Sequence, residues 1–195
     1  MFVVSLASAT FTPPTVLSNV TYSYPQSFGE TERRAEMKTL IVYASKKGAA
    51  REVAEKIGRH FEDAVSCDIK DAGQIQINDF RYVIIGSSVY AGGIDKKIKT
   101  FILRNTKALL QKELGLFLCG IQHKEADKVF GQNFKAEILE HAKAKSFLGG
   151  IYDPEKAGAF TRWLFKKAAK LTEYTNTIDE AKIDEFVSLF LAKSN

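Results

Sequence analysis

Short apolar runs alternate with amphipathic stretches from Lys38 to the C-terminus, and this alternation organises the chain. Thr39-Leu40-Ile41-Val42-Tyr43 is continuous, apolar and β-branched, the pattern of a strand buried on both faces. Ser45-Lys46-Lys47-Gly48 predicts a turn. Residues 50–62 predict a helix, with Val53, Ala54, Ile57 and Phe61 on one stripe and Arg51, Glu55, Lys56 and Arg59 mostly opposite. Ala64–Ile69 reads as a second strand, and Arg81–Ile85, closed by Gly86, as a third. Residues 95–110 return to helical spacing with Ile98, Phe101, Ile102 and Leu109 inward. Leu114–Leu118 is a fourth strand, 131–144 a further helix, and Ser146-Phe147-Leu148 a short fifth strand ending in Gly149-Gly150. Helices at 156–171 and 178–192 finish the pattern.

Short apolar strands alternating with helices mean an α/β fold: a parallel sheet covered on both faces, joined by right-handed crossovers. In such a sheet ligands bind beyond the carboxyl ends of the strands, near a reversal of strand order. The candidate loops are therefore 44–50, 86–94, 119–124 and 149–154, each holding a glycine.

Composition narrows the classes. The 195 residues are 45% hydrophobic and 26% charged, enough for one substantial core. No run of 18 apolar residues exists, so no transmembrane helix is expected. Cys67 and Cys119 both lie in apolar segments without a Cys-x-x-Cys partner, and the three histidines are scattered, so neither a disulfide scaffold nor a metal site is expected. The first 36 residues carry two arginines against three glutamates and no lysine, a net −1, so the remainder is at +6 and the whole chain at +5. They also contain Pro13, Pro14 and Pro25, and the composition changes at Met37. We expect residues 1–36 to be an irregular or peripheral extension, with Met37 a candidate functional start, and 37–195 to be the domain. The positive balance favours anionic partners. No nucleic-acid module accompanies it.

Ala44-Ser45-Lys46-Lys47-Gly48-Ala49-Ala50 joins a buried strand directly to a helix, where backbone N–H groups and the positive helix end converge on an anion. Ser45 offers a hydroxyl, Gly48 a permissive backbone, and Lys46 and Lys47 positive potential. The spacing matches neither the dinucleotide fingerprint nor the Gly-Lys-Ser/Thr loop of nucleotide hydrolases. The bland alternative is a strand–helix turn with solvated lysines. Gly86-Ser87-Ser88-Val89-Tyr90-Ala91-Gly92-Gly93 has what a planar ligand can use: hydroxyls, an aromatic face and close backbone approach.

These stretches carry a resemblance. Tyr43–Ala50 followed by Arg51-Glu52-Val53-Ala54 resembles the phosphate-binding loop of flavodoxin-like proteins, and Val83–Gly92 and Leu148–Pro154 support the likeness. It is closest to the menaquinone-dependent protoporphyrinogen IX oxidase family and spans residues 38–192. It implies a flavodoxin-like three-layer sandwich with a five-stranded parallel sheet of order 2-1-3-4-5, and FMN as cofactor. By resemblance Ser45, Lys46, Lys47, Gly48, Ala49 and Ala50 wrap the FMN phosphate. Ser87, Ser88, Val89, Tyr90, Ala91 and Gly92 flank the ring, with Cys119 and Gly120 near it. The family's threonine hydroxyl is missing at Ala50. After Cys119 the usual Gly-Asp and second stacking tyrosine are also absent. Taken on its own chemistry, Cys119 reads as a small buried residue.

Phe160-Thr161-Arg162-Trp163-Leu164-Phe165-Lys166-Lys167-Ala168-Ala169-Lys170-Leu171 mixes aromatics with four positive charges and no acid, which suits either a cover helix or contact with anionic lipid. The resembling oxidases carry an extra element there. The resemblance therefore implies a cytoplasmic FMN-dependent oxidoreductase, peripheral at the inner face of the membrane. It would oxidise a porphyrinogen or another reduced small molecule and pass electrons to menaquinone or another quinone, with no residue nominated as catalytic acid or base. The alternatives are a soluble flavodoxin shuttle, an NAD(P)H:quinone reductase without a visible second nucleotide motif, and a flavodoxin-fold protein that has lost FMN. A body at +6 is opposite in sign to acidic shuttles.

Overall fold

The computed structural model describes residues 38–121, 125–159, 162–163, 166–167 and 171–192. The expected extension, residues 1–36, lies outside them.

The apolar runs become a five-stranded parallel sheet: β1 Thr39–Ala44, β2 Ala64–Asp68, β3 Tyr82–Ser88, β4 Glu113–Cys119 and β5 Ala144–Phe147, in order β2-β1-β3-β4-β5. β1 and β3 are buried along their whole length because each is paired on both edges and covered on both faces. Successive side chains therefore feed two cores. Leu40, Val42, Val83, Ile85, Leu114 and Leu116 meet α2 (Lys96–Leu109), α3 (Ala126–Asn133) and α4 (Ala136–His141). On the other face Ile41, Tyr43, Ile84 and Phe117 meet α1 (Ala49–Gly58) and α5 (Glu180–Ala192). The result is the three-layer sandwich expected from the resemblance.

Register leaves little freedom at one point. Gly86 faces Phe117 across β3 and β4, and a Cβ at Gly86 would stand 1.9 Å from the Phe117 ring. The ring fills the space that the glycine leaves open.

Several boundaries differ from the sequence reading. β3 continues to Ser88, so Gly86, Ser87 and Ser88 belong to the strand and not to the loop after it. α1 stops at Gly58, and Phe61 instead packs its ring against Tyr82 and Phe190. The single helix expected at 131–144 is two helices. Phe134 is extended between them (φ −123°, ψ 149°), its ring stacks on Phe130 at 5.8 Å, and Ile138 reaches the core. The fifth strand begins at Ala144, two residues before the expected start, and Leu148 follows it as a buried residue bonded to the Leu118 carbonyl at 2.9 Å. An unexpected two-residue antiparallel ribbon pairs β6 (Ile151–Tyr152) with β7 (Thr175–Asn176) and ties both ends of the intervening excursion together. Of the helix expected at 156–171, residues 159, 162–163, 166 and 167 are helical, 156–158 are not, and much of the rest lies outside the described residues.

Candidate functional site

β1 ends at Ala44, and the chain turns into α1 within four residues. Gly48 makes this possible with φ 97°, a left-handed conformation that a side chain would strain. The Ser45 hydroxyl oxygen accepts the Gly48 N–H at 3.1 Å, which fixes the turn. No side chain caps α1, so the N–H groups of its first turn point out of the helix. Ala49 and Ala50 sit there with their methyl groups buried against Ile41 and Val53, while Lys46, Lys47 and Gly48 are exposed. Lys47 Nζ donates to the Lys156 carbonyl oxygen, so this lysine also holds the start of the β6–β7 excursion beside the loop.

Beyond β3 the chain makes a tight hairpin. Tyr90 and Gly93 exchange backbone hydrogen bonds at 2.9 Å each way, and Ala91 and Gly92 between them have φ 48° and 77°. Both central residues are left-handed, as a type I′ turn requires. Gly92 takes this conformation freely, whereas Ala91 is strained by it.

The strain is held from outside. Asn133, the last residue of α3, donates to the Gly92 carbonyl at 2.7 Å and accepts the Ile94 N–H at 3.1 Å. A further donation to Val129 O at 2.7 Å seats the carboxamide on its own helix. The Ser87 hydroxyl accepts the Asp95 N–H at 3.2 Å and donates to Ser88 O at 3.1 Å. Ser87 thus fastens the return of the hairpin, a structural use that its place in the sequence did not suggest. Val89 bonds through its N–H to Cys119 O at 2.7 Å, linking this loop to the next.

Between the first two loops lies a cavity of about 310 Å³, lined by Ala44, Lys46, Ser88, Tyr90, Gly93, Ile94, Asp95 and Lys96. Tyr90, 38% exposed, offers its ring at the rim, with Lys46 Nζ 5.1 Å from the ring centroid. Partial burial pushes the Tyr90 phenol up, so it is neutral near pH 7. Asp95 accepts the Lys97 N–H at 2.8 Å and caps α2 at the cavity edge.

The third loop is committed to the backbone. Cys119 is buried among Ala49, Ala50 and Leu148, and burial raises its thiol far above the ordinary range. Gly120 donates to Gly149 O at 2.9 Å, and a Cβ on Gly150 would come within 2.6 Å of the Gly120 carbonyl carbon. Glycine is therefore needed at Gly150 because two chain segments touch there. The structure brings Ser45–Ala50 and Ser88–Gly92 to one end of the sheet. It sets Cys119 beneath that surface and Gly120 against the fifth-strand turn.

Residues 40–179 match the flavodoxin domain family. The chain belongs to that family. Among solved structures the domain is similar to a short-chain flavodoxin associated with a bacterial microcompartment, at 13% identity, 82% of this chain, 99% of that one and TM-score 0.51. It also resembles a flavoprotein from Lactobacillus acidophilus in complex with FMN, at 20% identity, 58% of this chain, 91% of that one and TM-score 0.42. No curated protein sequence matches it. At such identities the similarity bears on the fold.

Two residues that shape this flavodoxin domain's cavity, Asn133 and Asp95, were not among the sequence candidates. Asp95 had a signal in its position at the start of the helical stretch expected at 95–110. Asn133 had none, since its partners lie 39 and 41 residues away. Among the described residues no group of His, Cys, Asp and Glu is placed to hold a metal ion, and no helix is long and apolar enough to cross a membrane.

Proposed function

We propose that this flavodoxin domain binds FMN and works as an electron carrier. The observation that carries the reading is the uncapped start of α1 behind left-handed Gly48, at the carboxyl end of a central strand and flanked by Lys46 and Lys47. The residues present suit the group. Ser45 Oγ accepts from Gly48, which leaves its own proton free for a phosphate oxygen. The N–H groups of Ala49 and Ala50 and the Lys46 ammonium supply further donors. The cavity beside them lies at the low end of the roughly 300–1,000 Å³ used for small molecules, which suits a ring that leaves one edge open. Tyr90, a neutral phenol, gives the ring an aromatic wall. Bound FMN supplies the redox chemistry; the chain holds, orients and partly shields it.

Fluorescence titrations with FMN and with riboflavin, which lacks the phosphate, test this. Gly48→Val should weaken FMN far more than riboflavin. Ala50→Thr restores a hydroxyl and should tighten FMN alone by about 1.5 kcal/mol or more, roughly tenfold. Equal effects on both ligands would place the phosphate elsewhere. No quenching at tens of micromolar flavin would leave a flavodoxin fold without its cofactor.

A second reading has a specific observation behind it. Trp163 is 56% exposed, with Lys167 Nζ 5.2 Å from its ring centroid and Arg162 and Lys166 also exposed, all within the β6–β7 excursion. This favours a cytoplasmic oxidoreductase that touches an anionic membrane there and passes electrons from a reduced porphyrinogen or similar substrate to menaquinone or another quinone. Lysines near such a surface contribute about 1 kcal/mol each at low salt. Changing Lys166 and Lys167 together to glutamate should therefore abolish sedimentation with anionic vesicles and leave FMN titration unchanged. A wild-type protein that ignores the vesicles at low salt removes the membrane from the scheme.

A further inference from the structure

Residues 96–112 contain Lys96, Lys97, Lys99, Arg104, Lys107 and Lys112 and no acidic residue. At helical spacing the first five share one arc of α2 with Thr100 and Leu103, opposite buried Ile98, Ile102 and Leu109. Lys96, Lys97, Lys99, Arg104 and Lys107 are all exposed, and none forms an ion pair among the described residues. On α1, α3 and α5 the helical cations are paired: Arg51 with Glu55 at 2.8 Å, Lys56 with Glu180, Lys128 with Glu125 at 3.0 Å and Lys182 with Asp179 at 3.9 Å.

This arrangement works against the helix that bears it. Lys96 and Lys97 stand in the first turn, where the helix dipole disfavours positive charge. Lys96 with Lys99, and Arg104 with Lys107, are like-charge neighbours three residues apart. In the middle of the arc Leu103 is 62% exposed. A local electrostatic cost set around a bare apolar side chain is the composition of a docking surface. Its location is also informative, because α2 starts at the cavity, where Lys96 is a lining residue.

We propose that the outer face of α2 is the docking surface for an acidic protein. Leu103 is the apolar anchor and the five cations steer and orient the partner. A lipid surface would ask for several exposed apolar or aromatic side chains, and Leu103 is the only large one exposed on this helix. A protein seated here abuts the mouth of the cavity, so on the flavin reading it is the electron-exchange partner. That redox meaning rests on FMN binding, whereas the docking itself does not.

The test is a titration of the full, isotope-labelled chain with a strongly acidic plant-type ferredoxin as probe, followed by amide shifts. A basic cytochrome serves as the charge control. Shifts should cluster on residues 96–107, and affinity should fall roughly tenfold between about 50 and 200 mM salt. Lys99→Glu and Arg104→Glu together should lower affinity at least about tenfold without lowering the melting temperature, since they turn the Lys96–Lys99 and Arg104–Lys107 like-charge pairs into opposite-charge ones. The corresponding glutamine variant should lose less. No ferredoxin binding at low salt, shifts that map elsewhere, or tighter binding of duplex DNA or anionic vesicles to this face would each overturn the proposal. A chain that takes ferredoxin on α2 but no FMN keeps the docking surface and loses only the flavin reading. The reverse result does the opposite.

Discussion

Asn133 shows how one carboxamide can set the shape of a cavity. Its two hydrogen bonds to the Tyr90–Gly93 hairpin hold Ala91 in a left-handed conformation that alanine does not favour alone. Asn133→Ala should destabilise the domain by about 1–2 kcal/mol and speed amide exchange at Gly93 and Ile94. Unchanged exchange would mean that the hairpin's own two bonds suffice. Asn133→Asp keeps the acceptor for Ile94 but turns a carboxylate oxygen toward the Gly92 and Val129 carbonyls, so near neutral pH it should cost at least as much as Asn133→Ala.

The thiols offer a second check at this scale. Burial, with Asp71 and Asp68 nearby, pushes Cys67 up to about 11, and Cys119 is shifted further in the same direction. Because the folded state raises the Cys67 pKa, its contribution to stability is complete at neutral pH. It is lost as pH rises from the ordinary thiol range toward about 11. Native protein at pH 7 should therefore react slowly with maleimide at both cysteines and quickly once unfolded. Rapid labelling of Cys119 in the native state would contradict its placement. Ser87 and Gly120 look in the sequence like ligand contacts. Their partners, Asp95 and Gly149, become neighbours only when the loops close, so sequence spacing could not assign them.

Elements were legible where one pattern dominated. β1 and β3 are continuous β-branched runs, and such runs have no good alternative to a doubly covered strand. The two helices within 126–141 were not, because Phe130, Phe134 and Ile138 keep a helical spacing straight across the break. The chain leaves the helix at Phe134 without disturbing the apolar spacing, a break that periodicity does not encode. The β6–β7 ribbon pairs two residues with two others more than 20 positions away, too little local signal to register. On α2 the apolar stripe was read correctly, and the outer face carries the more unusual information. Lys97→Glu places an anion in the first turn, so it should stabilise the domain by about 0.3–1 kcal/mol at low ionic strength, with the gain screened by salt. Urea midpoints at two salt concentrations check this. A loss of stability would mean that Lys97 has a favourable contact in the folded domain. A gain accompanied by weaker ferredoxin binding would show stability given up for recognition on this helix.

At the scale of the molecule, the sheet order separates what the two ends of β1 can do. β1 is central, hydrogen-bonded to β2 on one side and β3 on the other, so no further strand can join it edge to edge. Lys38 enters at the amino end, where its carbonyl accepts the N–H groups of Arg81 and Tyr82 at 3.2 Å. The Ser45–Ala50 loop, the hairpin and the cavity all lie at the carboxyl end, a strand length away. Among the described residues both faces of the sheet are covered by helices that follow β1 in the chain. A chain beginning at Met37 should consequently keep a cooperative unfolding transition, with a melting temperature close to that of the full protein. It should also keep the same FMN and riboflavin affinities, because every proposed donor to the flavin follows Ala44. Comparing calorimetric unfolding and flavin titration for the two chains tests both halves at once. Lost cooperativity would make residues 1–36 part of the structural unit. Intact folding with weakened flavin binding would instead bring that segment around to the carboxyl end of the sheet, where the cavity opens.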